Sequence, residues 1–434
     1  MPASACSVRE RRMGRRFAML IAIALGPSAC SSEIVTSEID RLPRALTIAE
    51  RAVIRSSNAF GFELFQRVVS GEDGPNVFLS PLSASMALGM TMNGSAAETW
   101  EAMRLALHFG GLTETEINDS YHGLFDLLLG LDPLVDVRLA NSVWSQRGFP
   151  FQPSFFTTVR DYFEGEAREL DFADPAAVDV INQWASDATN GRIDKVLERI
   201  APEHIMFLLN ALYFKGTWER KFDAPETSAA PFIRADGSQV SVPMMRLPEG
   251  PILSTTTPQF QAVELAYGGK AFAMIVLLPA DGHDLSSIVA SMDDDAWAAL
   301  VASLDSTSLE VRMPRFRIEY EELLNTPLIG MGMGIAFSGA ANFTRLTPVP
   351  GVCIHFVKQN TFLEINEEGT EAAAVTTVGI GRVSLPVPFV VDRPFLVAIR
   401  ERLSGTILFL GTIGDPTAAE SAPANQPGQV CALE

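Results

Sequence analysis

The residues from which hydrolytic or metal chemistry is usually built are present in this chain, but not in spacings that would perform it. No serine is centred in Gly-x-Ser-x-Gly, and none of the five lysines has a serine three residues before it. That argues against a hydrolase elbow and against a penicillin-binding nucleophile. Gly330-Met-Gly-Met-Gly334 has the wrong spacing for a phosphate-cradling loop or a dinucleotide fingerprint. His108, His122, His204, His283 and His355 are scattered, with neither His-Glu-x-x-His nor a His/Cys cluster. Each reads as an ordinary surface or core histidine. The sequence therefore assigns no catalytic residue, no metal and no cofactor. The unusual segment is Glu367-Glu-Gly-Thr-Glu-Ala-Ala-Ala-Val-Thr-Thr-Val-Gly-Ile-Gly-Arg-Val-Ser384. Acidic residues open it, small residues follow, and no apolar stripe is offered for burial. Taken alone it reads as a mobile surface loop.

The elements that would carry such a loop are legible on either side of it. Ala49 to Val69 places Ala59, Phe62, Phe65 and Val69 at helical spacing. Leu79-Ser80-Pro81 opens a second helix, with Pro81 in its first turn and Leu82, Met86 and Met90 repeating by four. Val178–Ala188 and Asp294–Ser303 are similar amphipathic stretches. Strand signals dominate later, at Ala271–Pro279, Ser308–Pro314, Phe362–Asn366, Leu385–Val391, Phe395–Ile399 and Thr406–Thr412. Helices that lead and strands that follow and mix with them predict an α+β domain. With 434 residues, 47% hydrophobic and 20% charged, the chain is neither a disordered polymer nor a disulfide-stapled miniprotein. Length alone would suggest two or three domains, but no Pro/Ser linker or repeat interrupts residues 50–416. The formal charge of −19 makes nucleic acid a poor partner, because phosphate binding needs clustered Lys and Arg.

The two ends read differently from this domain. Residues 1–29 have the parts of an export signal: Arg11, Arg12, Arg15 and Arg16, then the apolar run Phe17–Leu25, then Ser28 and Ala29 before Cys30. The apolar run is too short to span a bilayer as a helix. The pattern resembles a lipoprotein signal with Cys30 as the lipidated residue, although Pro27 stands where an aliphatic residue is usual. An ordinary cut near Ala29 is the alternative. The expected localisation is export, with a lipid anchor at the cell envelope or surface, or secretion. Loss of residues 1–29 removes five arginines and one glutamate, leaving −23. Residues 30–49 read as a polar tether and 417–434 as a disordered tail. Cys353, in the apolar run Val352-Cys-Ile, reads as a buried thiol.

Over nearly all of residues 50–416 the chain resembles the serpin family. Seven blocks occur in register: Asn76–Ser83; Ile181-Asn-Gln-Trp184 with Thr189-Asn-Gly-Arg-Ile193; Asn210–Trp218; Val242-Pro-Met-Met245; Met313-Pro-Arg-Phe316; the hinge Glu367–Ala374; and Asp392-Arg-Pro-Phe395. The resemblance implies three β-sheets, eight to nine helices and an exposed reactive-centre loop at about 367–391. It also implies suicide inhibition. A target serine protease attacks the loop and forms an acyl-enzyme. The loop's N-terminal half then inserts into the large sheet, carrying the protease away and distorting its site.

Those expectations can be placed residue by residue. The hinge is Glu367, Glu368, Gly369, Thr370, Glu371, Ala372, Ala373 and Ala374. Insertion sends alternate side chains under the sheet, and one such set, Thr370, Ala372, Ala374 and Thr376, is small and uncharged, which favours inhibition. Family spacing puts the reactive bond at Val383-Ser384, suited to an elastase-like pocket. The alternative, Arg382-Val383, would suit a trypsin-like protease. Ser80, Ser83 and Asn210 match the polar cluster beneath the gap through which the loop enters, and Trp218 the aromatic at its top. Gln359 stands where many serpins have histidine; it keeps hydrogen bonding but cannot titrate near neutral pH. The expected partner is a serine protease in covalent complex with a monomeric inhibitor. A papain-like cysteine protease target and a non-inhibitory binding serpin remain alternatives. The sparse lysines make no basic stripe, so no polyanion cofactor is expected.

Overall fold

The computed structural model describes residues 38–72, 74–370 and 387–419. Helix α1 (Ile48–Gly71) begins at Thr47, whose hydroxyl accepts from the Glu50 N–H while the Glu50 carboxylate accepts from the Thr47 N–H at 2.7 Å. This reciprocal cap satisfies two donors that the first turn would otherwise leave unpaired. Strand β1 (Asn76–Leu79) leads into α2 (Pro81–Met92), capped by the Ser80 hydroxyl, with Pro81 in the first turn as the sequence predicts. Helices α3 (Ala97–Ala106) and α4 (Glu114–Leu128) follow, then β2 (Val135–Gln146), α5 (Pro153–Phe163), β3 (Glu166–Leu170), α6 (Ala176–Ala188) and β4 (Met206–Thr217).

The central part is β5 (Ser228–Ile233), β6 (Gln239–Thr256), β7 (Phe260–Tyr267), β8 (Phe272–Pro279), α7 (Leu285–Ser291), α8 (Asp294–Ala302), β9 (Asp305–Pro314), β10 (Phe316–Leu323) and the one-turn α9 (Asn325–Leu328). The chain closes with β11 (Lys358–Ile365), β12 (Gly369–Thr370), β13 (Phe389–Val390), β14 (Phe395–Glu401) and β15 (Ile407–Ile413). Nine α-helices thus lie among the described residues.

The strands form three hydrogen-bonded sheets. Nine belong to one, ordered β1-β15-β14-β8-β7-β6-β9-β13 with β5 paired to β6. Strands β8, β14 and β15 are buried along their whole length, which explains their near-continuous apolar sequences. Their charged residues, Arg400 and Glu401, close β14; Arg400 meets the buried Glu264 carboxylate at 2.6 Å, and Arg402 reaches the other oxygen at 2.8 Å. Removing Glu264 would leave the buried Arg400 charge without this partner, at a cost of about 3–5 kcal/mol. Helices α1 and α2 pack over this sheet and contribute Phe60, Phe62, Phe65, Leu82, Met86 and Met90 to the core. The other two sheets are β12-β4-β2-β3 and β10-β11. No backbone ladder joins β4 to β11, although both lie over the same core.

Three local readings change. The segment expected as a tether packs before α1 begins: Ile39 N–H donates to Gly269 O at 2.8 Å, and Leu42 and Leu46 lie against the core. At the other end Asn76 holds the carbonyls of Asp415 and Ala418, and Glu319 N–H donates to Ala419 O, so the first residues of the expected tail are fastened. Cys353 is half-buried and disulfide-bonded, not the free thiol read from its apolar neighbours; its partner lies outside the described residues. Composition of the flanking run reports burial, and says nothing of a second sulfur brought in from elsewhere in the chain.

Candidate functional site

Where β11 ends, the chain reverses. Asn366 N–H donates to Gly369 O at 3.0 Å, and the Asn366 side-chain oxygen accepts from the N–H groups of Glu368 and Gly369. The reversal lays Gly369 opposite Thr217 and Thr370 opposite Gly216, antiparallel to β4. Two residues of a further strand are therefore lodged at the top of the gap between β4 and β11. Gly369 is required here: its φ is +150°, and a Cβ would fall 2.0 Å from Gly216 O. Gly216 is its counterpart, since a Cβ there would press the Tyr267 ring at 2.7 Å.

The lodged residues are held on all sides. Thr370 is 3% exposed and shares a 2.9 Å hydrogen bond with the Tyr267 hydroxyl, whose pKa burial pushes well up, so it stays protonated. Trp218 stacks on Tyr267 with centroids 4.3 Å apart and donates its indole N–H to Asn366 O at 2.9 Å. Glu367 accepts from the Thr227 hydroxyl at 2.7 Å with Arg315 beyond it, and Glu368 pairs with Lys221. Tyr267→Phe removes one buried hydrogen bond and should lower stability by about 1 kcal/mol, read as a lower midpoint in chemical denaturation.

At the other end of the gap a polar cluster lies beneath β11. The Gln359 side chain clasps the backbone of Ser80 from both sides, accepting from its N–H and donating to its carbonyl, each at 2.9 Å. Ser80 Oγ donates to Leu408 O at 2.7 Å and accepts from Ser83 N–H. Asn210, on β4, does not bond to this group. Its amide nitrogen donates to Asn141 at 2.7 Å, and its buried carbonyl oxygen has no partner. Between the two sides is a cavity of about 180 Å³ lined by Ser83, Leu88, Asn210, Phe207, Ile354 and Gln359 among others. Ser80, Ser83 and Gln359 thus meet, Asn210 faces them across the gap, and Trp218 stands at the opposite end beside the hinge.

A titratable group belongs to the same region although Gln359 cannot titrate. Glu322 lies directly across the β10–β11 ladder from Gln359. Burial pushes its carboxyl up to about 7, Glu72 adds to the shift, and a 3.0 Å bond from the Tyr320 hydroxyl opposes it. The folded state therefore holds a proton that the unfolded chain releases near 4.5. This contribution to stability is full below that value and is lost as pH rises through about 7. Between pH 5.5 and 8 the denaturation midpoint should fall, and Glu322→Gln should flatten the slope.

Glu371, Ala372, Ala373, Ala374, Arg382, Val383, Ser384 and Cys30 lie outside the described residues. Sequence reasoning missed Tyr267, Gly216, Lys221, Thr227 and Glu322; the register of β7, β4 and β10 brings Tyr267, Gly216 and Glu322 here, and the connection from β4 to β5 brings Lys221 and Thr227. Among the described residues no group of three or more His, Cys, Asp or Glu could hold a metal, and no helix is long and apolar enough to cross a membrane.

A short strand, Gly369–Thr370, thus pairs with the end of β4, while no backbone ladder joins β4 to β11 among the described residues. The sequence profile described as "Serpin (serine protease inhibitor)" matches residues 55–416. The chain belongs to the serpin family. It is 31% identical over 403 residues to an uncharacterised serpin-like protein of Thermococcus kodakarensis, covering 90% of this chain and 91% of that one. It is 31% identical over 378 residues to the leukocyte elastase inhibitor of Bos taurus, covering 83% and 98%. Among solved structures it resembles native tengpin, a thermophilic serpin, with TM-score 0.77 and 27% identity, covering 87% of this chain and 96% of that one. Human thyroxine-binding globulin complexed with thyroxine gives TM-score 0.77 and 26% identity, covering 85% and 100%.

Proposed function

We propose that this chain is a suicide-type inhibitor of elastase-like serine endopeptidases rather than an enzyme. The observation that carries the reading is Thr370, the first residue of the small, uncharged inward set, buried beside β4 at the top of the gap that separates β4 from β11 among the described residues. A strand continuing from Thr370 by simple alternation sends Ala372, Ala374 and Thr376 inward, over the cavity, and Glu371 outward. Nothing large or charged would have to be buried. The protease serine attacks the Val383 carbonyl, the bond to Ser384 breaks, and the new amine leaves with a proton. Insertion then competes with water for the acyl-enzyme. Val383 suits a small apolar specificity pocket, and the likeness to a leukocyte elastase inhibitor supports that choice. The inhibitor acts as an exported monomer, held at the envelope through a lipid on Cys30.

Incubation with elastase-like, trypsin-like and papain-like proteases, followed by denaturing electrophoresis and mass spectrometry of the released peptide, tests this. The expected result is a denaturant-resistant complex with the elastase-like enzyme and a C-terminal peptide beginning at Ser384. A peptide beginning at Val383, with a trypsin-like complex, would move the reactive bond to Arg382. Cleavage with no complex from any of the three would overturn inhibition and leave a binding serpin.

A further inference from the structure

The foot of the gap carries a feature that neither the hinge nor the Ser80–Gln359 cluster uses. The segments entering β4 and β11 meet there through aromatic rings, with no backbone ladder between the two strands. The His204 and His355 rings stand edge to face, centroids 5.4 Å apart and planes at 86°. His204 also packs on Phe356 at 5.4 Å, and Phe207 on Phe356 at 6.0 Å. His204 Nδ1 accepts from Ala201 N–H at 3.2 Å, which places its proton on Nε2 in the neutral ring. The Asn325 side chain fixes the other side, donating to His355 O and accepting from Val357 N–H. Both histidines line the cavity beneath the gap.

We propose that His204 and His355 form a pH-sensitive clasp that holds the foot of the gap closed when neutral and loosens it when protonated. The inference rests on the insertion reading above, because a full-length strand must part these two segments. Two imidazolium rings at this separation repel, and neither can keep its place in an apolar ring cluster without losing hydration. Burial, and then the neighbouring His355, hold the His204 pKa below its ordinary value, with Arg199 acting in the same direction and Glu203 against it. The remaining charged groups nearby are already engaged: Lys358 with Glu321, and Glu198 with Lys195. Glu322, across the β10–β11 ladder from Gln359 with Glu72 beside it, is shifted in the opposite direction. For the clasp the sign is fixed. A histidine with a depressed folded pKa stabilises the closed foot above about 6.5, and that contribution is lost as pH falls below it.

The test is annealing of a synthetic peptide with the sequence of residues 370–383 into the intact full chain, followed by native electrophoresis and thermal melting. The wild type should anneal measurably faster at pH 5.5 than at pH 7.5. His204→Gln with His355→Gln should anneal at the same rate at both pH values, and each single substitution should lose most of the acceleration, since either removes the pairwise repulsion. Glu322→Gln should keep it. Acid acceleration that survives in the histidine variants, or a wild type that anneals equally at both pH values, would overturn the clasp and leave insertion standing. Failure to anneal at either pH would overturn insertion and the clasp together.

Discussion

Thr370→Arg is expected to turn the chain from an inhibitor into a substrate. The Thr370 side chain is buried beneath the top of the gap, and its polar partner among the described residues is the neutral Tyr267 hydroxyl. An arginine there must either bury its guanidinium, at an effective penalty of several kcal/mol, or withdraw the hinge from β4. A barrier higher by about 3 kcal/mol slows insertion by more than a hundredfold, and hydrolysis of the acyl-enzyme does not wait. Titration against an elastase-like protease should then consume many inhibitor molecules per enzyme inactivated, instead of about one. Ala372→Arg, two residues on and on the same face by alternation, should behave alike. Glu371→Arg, on the opposite face, should leave the stoichiometry near wild type. A stable covalent complex formed in full yield by Thr370→Arg or Ala372→Arg would sink the insertion argument.

Cleavage of the loop should make the protein harder to melt, which is the reverse of what a broken chain ordinarily does. The uninserted state carries costs that insertion relieves. The cavity of about 180 Å³ under the gap leaves apolar side chains such as Leu88, Phe207 and Ile354 open to water. The orphaned Asn210 carbonyl adds about 1–3 kcal/mol. At a few degrees or less per kcal/mol for a domain of this size, the Asn210 oxygen alone implies a rise in Tm of a few degrees. The facing edges of β4 and β11, which share no ladder, would add to it. An unchanged or lower Tm after complete cleavage would mean that the new end stays outside the sheet.

What was legible in the sequence was whatever is written locally. Ser80 and Pro81 announce the start of α2 because a cap and a first-turn proline act within one turn. The Glu367–Ala374 hinge stands out because small residues without an apolar stripe are rare after a good strand. The late strands β8, β14 and β15 are legible because their apolar runs are nearly continuous, broken by charge only at Arg400 and Glu401. Strand β2 was passed over because its second half, from Ser142 to Ser145, is buried on both faces and shows no alternation. Illegible too were pairings between residues far apart: Thr370 with Tyr267, Glu368 with Lys221, Glu322 opposite Gln359, His204 against His355. Each depends on a register that no short window contains. Length misled in the same way, since the break between β4 and β11 is a gap inside one body and leaves no linker in the sequence.

The central claim is that the segment from Thr370 to Val383 becomes a strand between β4 and β11. Amide hydrogen exchange on the chain before and after cleavage at the reactive bond tests it most directly. Exchange should slow sharply in residues 371–383, and in the facing halves of β4 (Met206–Thr217) and β11 (Lys358–Ile365), while β8 and β14 stay as they were. Cleaved chain in which residues 371–383 exchange freely and the facing edges of β4 and β11 are unchanged would contradict the account.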